Sequence, residues 1–179
     1  MTPDASSQVL IFGGVGGIGE ALARRLRADG RAITITSRSL DRAQPLATAI
    51  GATAFACDVH DEASIAASVA AASSDGRLDG IVYAIGSTPL KTLARATADD
   101  MLAAFRLNVV GAMIAVRAGA DALKAAGGSV VLFSSIAAAQ GFPSHTIVAA
   151  AKGAVSGLTL GLAAELAPAA RVNAIAPSL

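Results

Sequence analysis

No part of this chain restricts its fold more than the segment Val9-Leu-Ile-Phe-Gly-Gly-Val-Gly-Gly-Ile-Gly19. A short apolar run with β-branched Val9 and Ile11 enters a cluster of glycines, and the residues after it, Glu20–Leu26, have helical character. Glycine permits positive φ and lets an anion approach the backbone, while a helix start presents free N–H groups and a dipole that favours negative charge. The strand–turn–helix context therefore predicts a phosphate-binding turn, with Gly13, Gly14, Gly16, Gly17, Ile18 and Gly19 as its contacts.

The same rhythm continues along the chain. Strands are expected at Val9–Phe12, Ile33–Thr36, Ala54–Ala56, Ile81–Ala84, Val130–Phe133 and Val172–Ile175. Between them the Ala-rich segments predict helices over Ile18–Ala28, Leu40–Ile50, Glu62–Ser73, about Asp99–Ala126 and Val148–Leu166. Such alternation predicts an α/β, doubly wound Rossmann fold, a parallel sheet flanked by helices. Gly30, Gly51, Gly76 and the pair Gly127–Gly128 each follow a helical stretch where a left-handed cap is wanted. Neither a linker nor an internal repeat divides the chain, so residues 1–179 read as one dinucleotide-binding domain.

Composition narrows the function. Hydrophobic residues make up 54%, enough for a continuous core, and 14 basic against 13 acidic residues leave a net charge of +1, too small to gather nucleic acid or anionic lipid. The lone Cys57 cannot form an internal disulfide and Met1–Gln8 is polar, which points to the cytoplasm. Ala125–Ala151 carries no Asp, Glu, Lys or Arg, but Ser134, Ser135, Gln140, Gly141, Pro143, Ser144 and His145 interrupt it, so it reads as a buried strand, a polar loop and a helix start rather than a membrane span. The expected partner is a small-molecule substrate, with no nucleic acid, membrane or metal.

The second strand ends Ile35-Thr-Ser-Arg-Ser39, where a doubly wound fold meets the adenosine ribose. A carboxylate there would accept from the ribose 2′-OH, whereas Arg pairs with a 2′-phosphate through its charged fork; Ser37 and Arg38 thus favour NADP(H) over NAD(H).

Gly13, Gly17 and Gly19 are spaced G-x-x-x-G-x-G, and this pattern resembles the short-chain dehydrogenase/reductase family, with Phe12 where that family usually has Thr. The likeness extends in register through nearly the whole chain. It implies that Asp58 and Val59, in Cys57-Asp-Val59, meet the adenine, and that Tyr83-Ala-Ile-Gly86 stands in for Asn-Asn-Ala-Gly, with Ala84 and Gly86 at the cofactor. It further implies that Asn108 helps hold a proton-relay water and that Ser135 and Lys152 are catalytic, Lys152 also binding the nicotinamide ribose. Asn173-Ala-Ile-Ala-Pro177, with Pro177 at the cofactor, would pass beneath the nicotinamide.

One element of the family pattern is missing. Tyr normally stands four residues before the Lys, but here that residue is Val148, and Tyr83 is the only tyrosine in the chain. Enoyl-acyl-carrier-protein reductases of the same superfamily place Tyr seven residues before the Lys, which here is His145. Both spacings return a side chain to one helix face, although seven residues put His145 roughly 10 Å along the axis from Lys152. Ser144 is the expected N-cap after Pro143, with His145 in the first turn as a neutral imidazole that could still donate a hydrogen bond. The other histidine, His60, lies near a helix start and is expected to serve in capping or solvation only.

These residues suggest hydride transfer between a nicotinamide and a carbonyl/alcohol or conjugated enoyl substrate, with Asn108, Ser135, His145 and Lys152 as the catalytic set. The rival reading is a non-catalytic NADP(H)-binding protein with a regulatory or structural role, which the lost Tyr favours. The sequence ends at Ala176-Pro-Ser-Leu179, where the family continues with a substrate loop, a helix and an edge strand, so the C-terminal strand and loop are expected to be lacking and the domain incomplete. The helices over 108–126 and 148–166 are apolar on more than one face, and the resemblance implies a homodimer or homotetramer through them.

Overall fold

The β-branched runs become the strands β1 (Gln8–Phe12), β2 (Ala32–Ser37), β3 (Thr53–Ala56), β4 (Gly80–Tyr83), β5 (Ser129–Phe133) and β6 (Arg171–Ile175) of a computed structural model that describes residues 7–178. Residues 1–6, on which most of the polar N-terminal reading rests, and Leu179 lie outside the described residues. All pairings are parallel, in the order β3-β2-β1-β4-β5-β6, with Leu10 opposite Thr34 on one side and Ile81 on the other. This is the doubly wound order, in which the chain reverses direction between β1 and β4 and opens a crevice at their C-terminal ends.

Alternation along the central strands supplies a core on each face. Leu10, Phe12, Ile81, Tyr83, Val130 and Leu132 face one side, while Val9, Ile11, Ile33, Ile35 and Val82 face the other. Leu10 and Ile81 are fully buried, so truncating either to Ala would cost about 2–5 kcal/mol.

The helices are α1 (Gly17–Ala28), α2 (Leu40–Ile50), α3 (Glu62–Ala72), α4 (Ala98–Phe105), α5 (Gly111–Ala126) and α6 (Thr146–Leu166). Gly30, Gly51, Gly76 and Gly127 take positive φ as expected. Gly128 does not; it is small because a Cβ there would lie 2.6 Å from the Leu78 carbonyl oxygen. The expected single helix from about Asp99 to Ala126 is divided by a π-turn at Arg106–Val110, so that α4 and α5 are separate segments. The segment 98–126 and α6 are long and apolar enough to cross a membrane by length and composition, but here they flank the sheet, with Ala115, Val116, Leu123 and Val155 in its core.

Candidate functional site

The glycine turn is built from three kinds of glycine. Gly13 has φ +78, and a Cβ on it would stand 2.8 Å from Ile85 and 3.0 Å from the Ala84 carbonyl oxygen, so the exit of β4 lies directly against it. Gly14 and Gly19 are closed by packing, their Cβ positions falling 2.5 Å from the Ile35 Cβ and 2.2 Å from the Gly13 carbonyl oxygen. Gly17 is different: nothing lies within 4 Å of its Cβ position, and at Gly16 only the Gly13 carbonyl oxygen does, at 3.4 Å. Internal packing therefore gives no reason for glycine at 17. Gly16 is the N-cap of α1 and supplies no side-chain cap, so the first-turn N–H groups have no side chain closing them. An open, uncapped helix start beside a glycine with empty space fits a dinucleotide pyrophosphate.

On the far side of β1, Ser37 ends β2 and is buried, while Arg38, next in the chain, is exposed. Asp58 follows β3; its Oδ1 accepts from the His60 N–H at 3.0 Å. Val59 is 5% exposed and its side chain belongs to the core, so only its backbone can meet a ligand. His60 is exposed, and the cap of α3 is Asp61, whose carboxylate accepts from the Ala63 N–H. These residues stand apart from the cavity described next.

A cavity of about 520 Å³ opens at the C-terminal ends of β4, β5 and β6. Ser135, His145, Lys152, Ala84, Gly86 and Pro177 line it, together with Val148 and Ile18. Its walls also include Ser87, Thr88 and Phe142, which the sequence reading did not single out. Ser87 and Thr88 could have been found from the rule that ligands lie beyond strand ends, but Phe142 carries no such signal.

Lys152 is 8% exposed, and its ammonium donates to the Phe133 carbonyl at 2.8 Å. Burial pushes its pKa below the usual lysine value. Ser134 is structural: its hydroxyl bonds the Lys152 carbonyl at 2.9 Å. The Ser135 Oγ accepts from the Ala137 N–H at 3.1 Å, which leaves its own proton available to donate. Asn108 does not line the cavity, but the Cβ position of Gly86 lies 2.9 Å from its Oδ1 and 3.0 Å from the Lys152 Nζ, so both groups converge on that glycine.

The local geometry of His145 differs from expectation. Ser144 is not the N-cap; it takes a left-handed φ of 64°, and His145 itself is the cap residue, with α6 beginning at Thr146. The reason is tertiary: the Ser144 carbonyl accepts from the Lys91 N–H at 3.1 Å, and the Lys91 ammonium binds both Asp100 oxygens at 2.7 Å. Asp100 also closes a capping box with Thr97 at the start of α4. The His145 Nδ1 lies 2.7 Å from the Pro143 carbonyl oxygen. A carbonyl oxygen only accepts, so Nδ1 carries a proton, and in the neutral ring Nε2 is then an acceptor. In that tautomer a neutral His145 donates from Nδ1 to the Pro143 carbonyl, while Nε2 accepts and can give a proton only from the imidazolium.

A family model described as Enoyl-(acyl carrier protein) reductase matches residues 14–179. The 3-oxoacyl-[acyl-carrier-protein] reductase of Bos taurus is 32% identical over 172 residues, covering 93% of this chain and 73% of that protein. Among solved structures, ElxO with NADP bound superposes with a TM-score of 0.89 at 27% identity, over 96% of this chain and 73% of its own. NAD+-bound xylitol dehydrogenase does so with a TM-score of 0.88 at 29% identity, over 97% and 70%. With its six-stranded parallel sheet, the fold is that of NAD(P)-dependent oxidoreductases, and the chain belongs to the short-chain dehydrogenase/reductase family.

Proposed function

We propose that this protein is an NADP(H)-dependent oxidoreductase acting on a carbonyl/alcohol pair or a conjugated enoyl compound. The observation that carries the reading is the convergence of Ser135, His145 and Lys152 on one cavity beside Gly86. The bound dinucleotide would supply or accept the hydride. The open first turn of α1 would hold its pyrophosphate, Ser37 and Arg38 a 2′-phosphate, and Asp58 with the Val59 backbone its adenine. Ala84, Gly86, Lys152 and Pro177 would bound the nicotinamide side.

The chain's own groups divide the remaining work. Ser135 gives its hydroxyl proton to a hydrogen bond with the substrate oxygen, since its Oγ already accepts from the backbone. Lys152 supplies positive charge in an apolar surrounding, where charge acts strongly. In reduction, His145 as imidazolium releases the Nε2 proton to the developing alkoxide or enolate. In oxidation, the neutral Nε2 takes the hydroxyl proton. Leu160, 74% exposed on α6, supports association of copies into a dimer or tetramer through the helices over 108–126 and 148–166. We place the protein in the cytoplasm on the strength of its lone, buried Cys57.

Val148 supports a second reading, a nucleotide-binding protein without chemistry, because a buried aliphatic side chain stands where the family has its proton donor. Titration with NADPH and NADP⁺, followed by a panel of carbonyl and enoyl-thioester substrates, separates the two. Turnover abolished by Lys152→Ala and strongly reduced by His145→Ala supports the enzyme. Turnover indifferent to His145→Ala removes the histidine from the chemistry, and tight binding with no NADPH oxidation on any substrate supports the second reading.

A further inference from the structure

Tyr83 is the only tyrosine of the chain and lines no part of the cavity; it is 2% exposed at the end of β4, its ring tilted against Phe12 with centroids 5.8 Å apart. Its hydroxyl donates to the Leu107 carbonyl at 2.8 Å. In an α-helix that carbonyl would accept from the N–H of Gly111. Here the Gly111 N–H donates to the Arg106 carbonyl, five residues back, which is what makes Arg106–Val110 a π-turn and releases the Leu107 oxygen. The position of Gly111 is fitted to this exchange, because a Cβ there would lie 2.3 Å from the Tyr83 hydroxyl.

Asn108 sits inside the turn. Its Nδ2 donates to the Ala104 carbonyl at 2.9 Å, and its Oδ1 is buried with no hydrogen-bond partner. A buried, unpartnered acceptor is costly unless a ligand or water uses it, and this one faces the same glycine as the Lys152 ammonium. Returning the turn to α would rotate the residues on its two sides relative to each other by roughly the 100° that one helical residue occupies, carrying Asn108 off that line.

We infer that Tyr83 is a positioning residue: by occupying the Leu107 carbonyl it holds the π-turn that aims the Asn108 Oδ1 at the Lys152 side of the cavity. The inference rests on the functional reading above for its kinetic consequence, but its structural half stands alone.

Two variants test it in the full chain. Tyr83→Phe removes the donor, and Gly111→Ala expels the hydroxyl. A crystal structure of either is expected to show the Gly111 N–H back on the Leu107 carbonyl and the Asn108 Oδ1 displaced; an unchanged π-turn overturns the inference. In kinetics, Tyr83→Phe is expected to leave NADPH affinity within twofold of the parent and lower kcat tenfold or more. Adding Asn108→Ala should lower kcat no further, whereas independent, multiplying losses refute action through Asn108. If the parent protein turns over no substrate, the functional reading fails, and the crystallographic comparison still decides the positioning role.

Discussion

Two glycines of the same turn should respond to alanine in opposite ways. At Gly17 the new methyl meets no protein atom within 4 Å, and the residue opens α1. Alanine removes backbone freedom from the unfolded chain and favours the helix, so Gly17→Ala should leave stability unchanged or raise it by up to about 0.5 kcal/mol. For a domain of this size that is a rise in Tm of roughly 1–2 °C. At Gly19 the methyl would stand 2.2 Å from the Gly13 carbonyl oxygen and 2.9 Å from Gly13 C and Gly14 Cα, all backbone that can yield only by moving the turn. Overpacking of this kind costs about 1–3 kcal/mol, a fall in Tm of roughly 2–12 °C. Thermal unfolding by circular dichroism reads both, and calorimetric titration with NADPH reads the second half of the prediction. If the empty space at Gly17 exists for a pyrophosphate, its alanine variant should bind at least roughly tenfold more weakly, a loss of about 1.4 kcal/mol, despite its stability. Unaltered NADPH affinity in Gly17→Ala would refute the assignment of this glycine to the cofactor.

Arg38→Asp should weaken NADPH binding by roughly tenfold to a hundredfold through loss of a charge-assisted pairing, with NADH affinity unchanged or improved; equal losses for both nucleotides would count against a 2′-phosphate contact. The Lys91 ammonium and Thr97 beside Asp100 hold its carboxyl below the usual range, so its contribution to stability is present at neutral pH and disappears as pH falls through that lowered value. Asp100→Asn should therefore lower Tm at pH 7, with the gap to the parent closing on acidification; a gap independent of pH rules out the ion pair. Ser144→Val should cost about 1–2 kcal/mol because of the left-handed backbone there, while Ser144→Gly should cost nothing, and equal Tm values for the two would show that the conformation is not required.

The parts of the fold that were legible in the sequence are those decided locally. The strands announce themselves through β-branched runs, and the ends of α2 and α5 through Gly51 and Gly127, whose left-handed φ few other residues would take. The convergence of Ser135 and Lys152 is what the resemblance to the short-chain dehydrogenase/reductase family implies for their motifs. The π-turn is not legible in this way, because the Tyr83 hydroxyl that takes the Leu107 carbonyl arrives from a strand 24 positions away. The entry to α6 departs from the local expectation for a similar reason. Ser144 after Pro143 has the makings of a local cap, but the Lys91 backbone N–H claims its carbonyl and moves the cap to His145. The tautomer of that histidine likewise depends on the turn that brings the Pro143 oxygen to the Nδ1 edge of the ring.

Lys152 gives the cavity a character that outlasts any single proton transfer. Its ammonium donates to the Phe133 carbonyl, and among the described residues no Asp or Glu side chain lines the cavity around it. Among the described residues, the fold therefore holds a charge partly withdrawn from water with no acidic side chain in the cavity beside it. A molecule that brings hydroxyl oxygens or developing negative charge to that ammonium offsets the withdrawal. The same buried ammonium that shapes the cavity thereby gives a guest bearing oxygens a reason to stay.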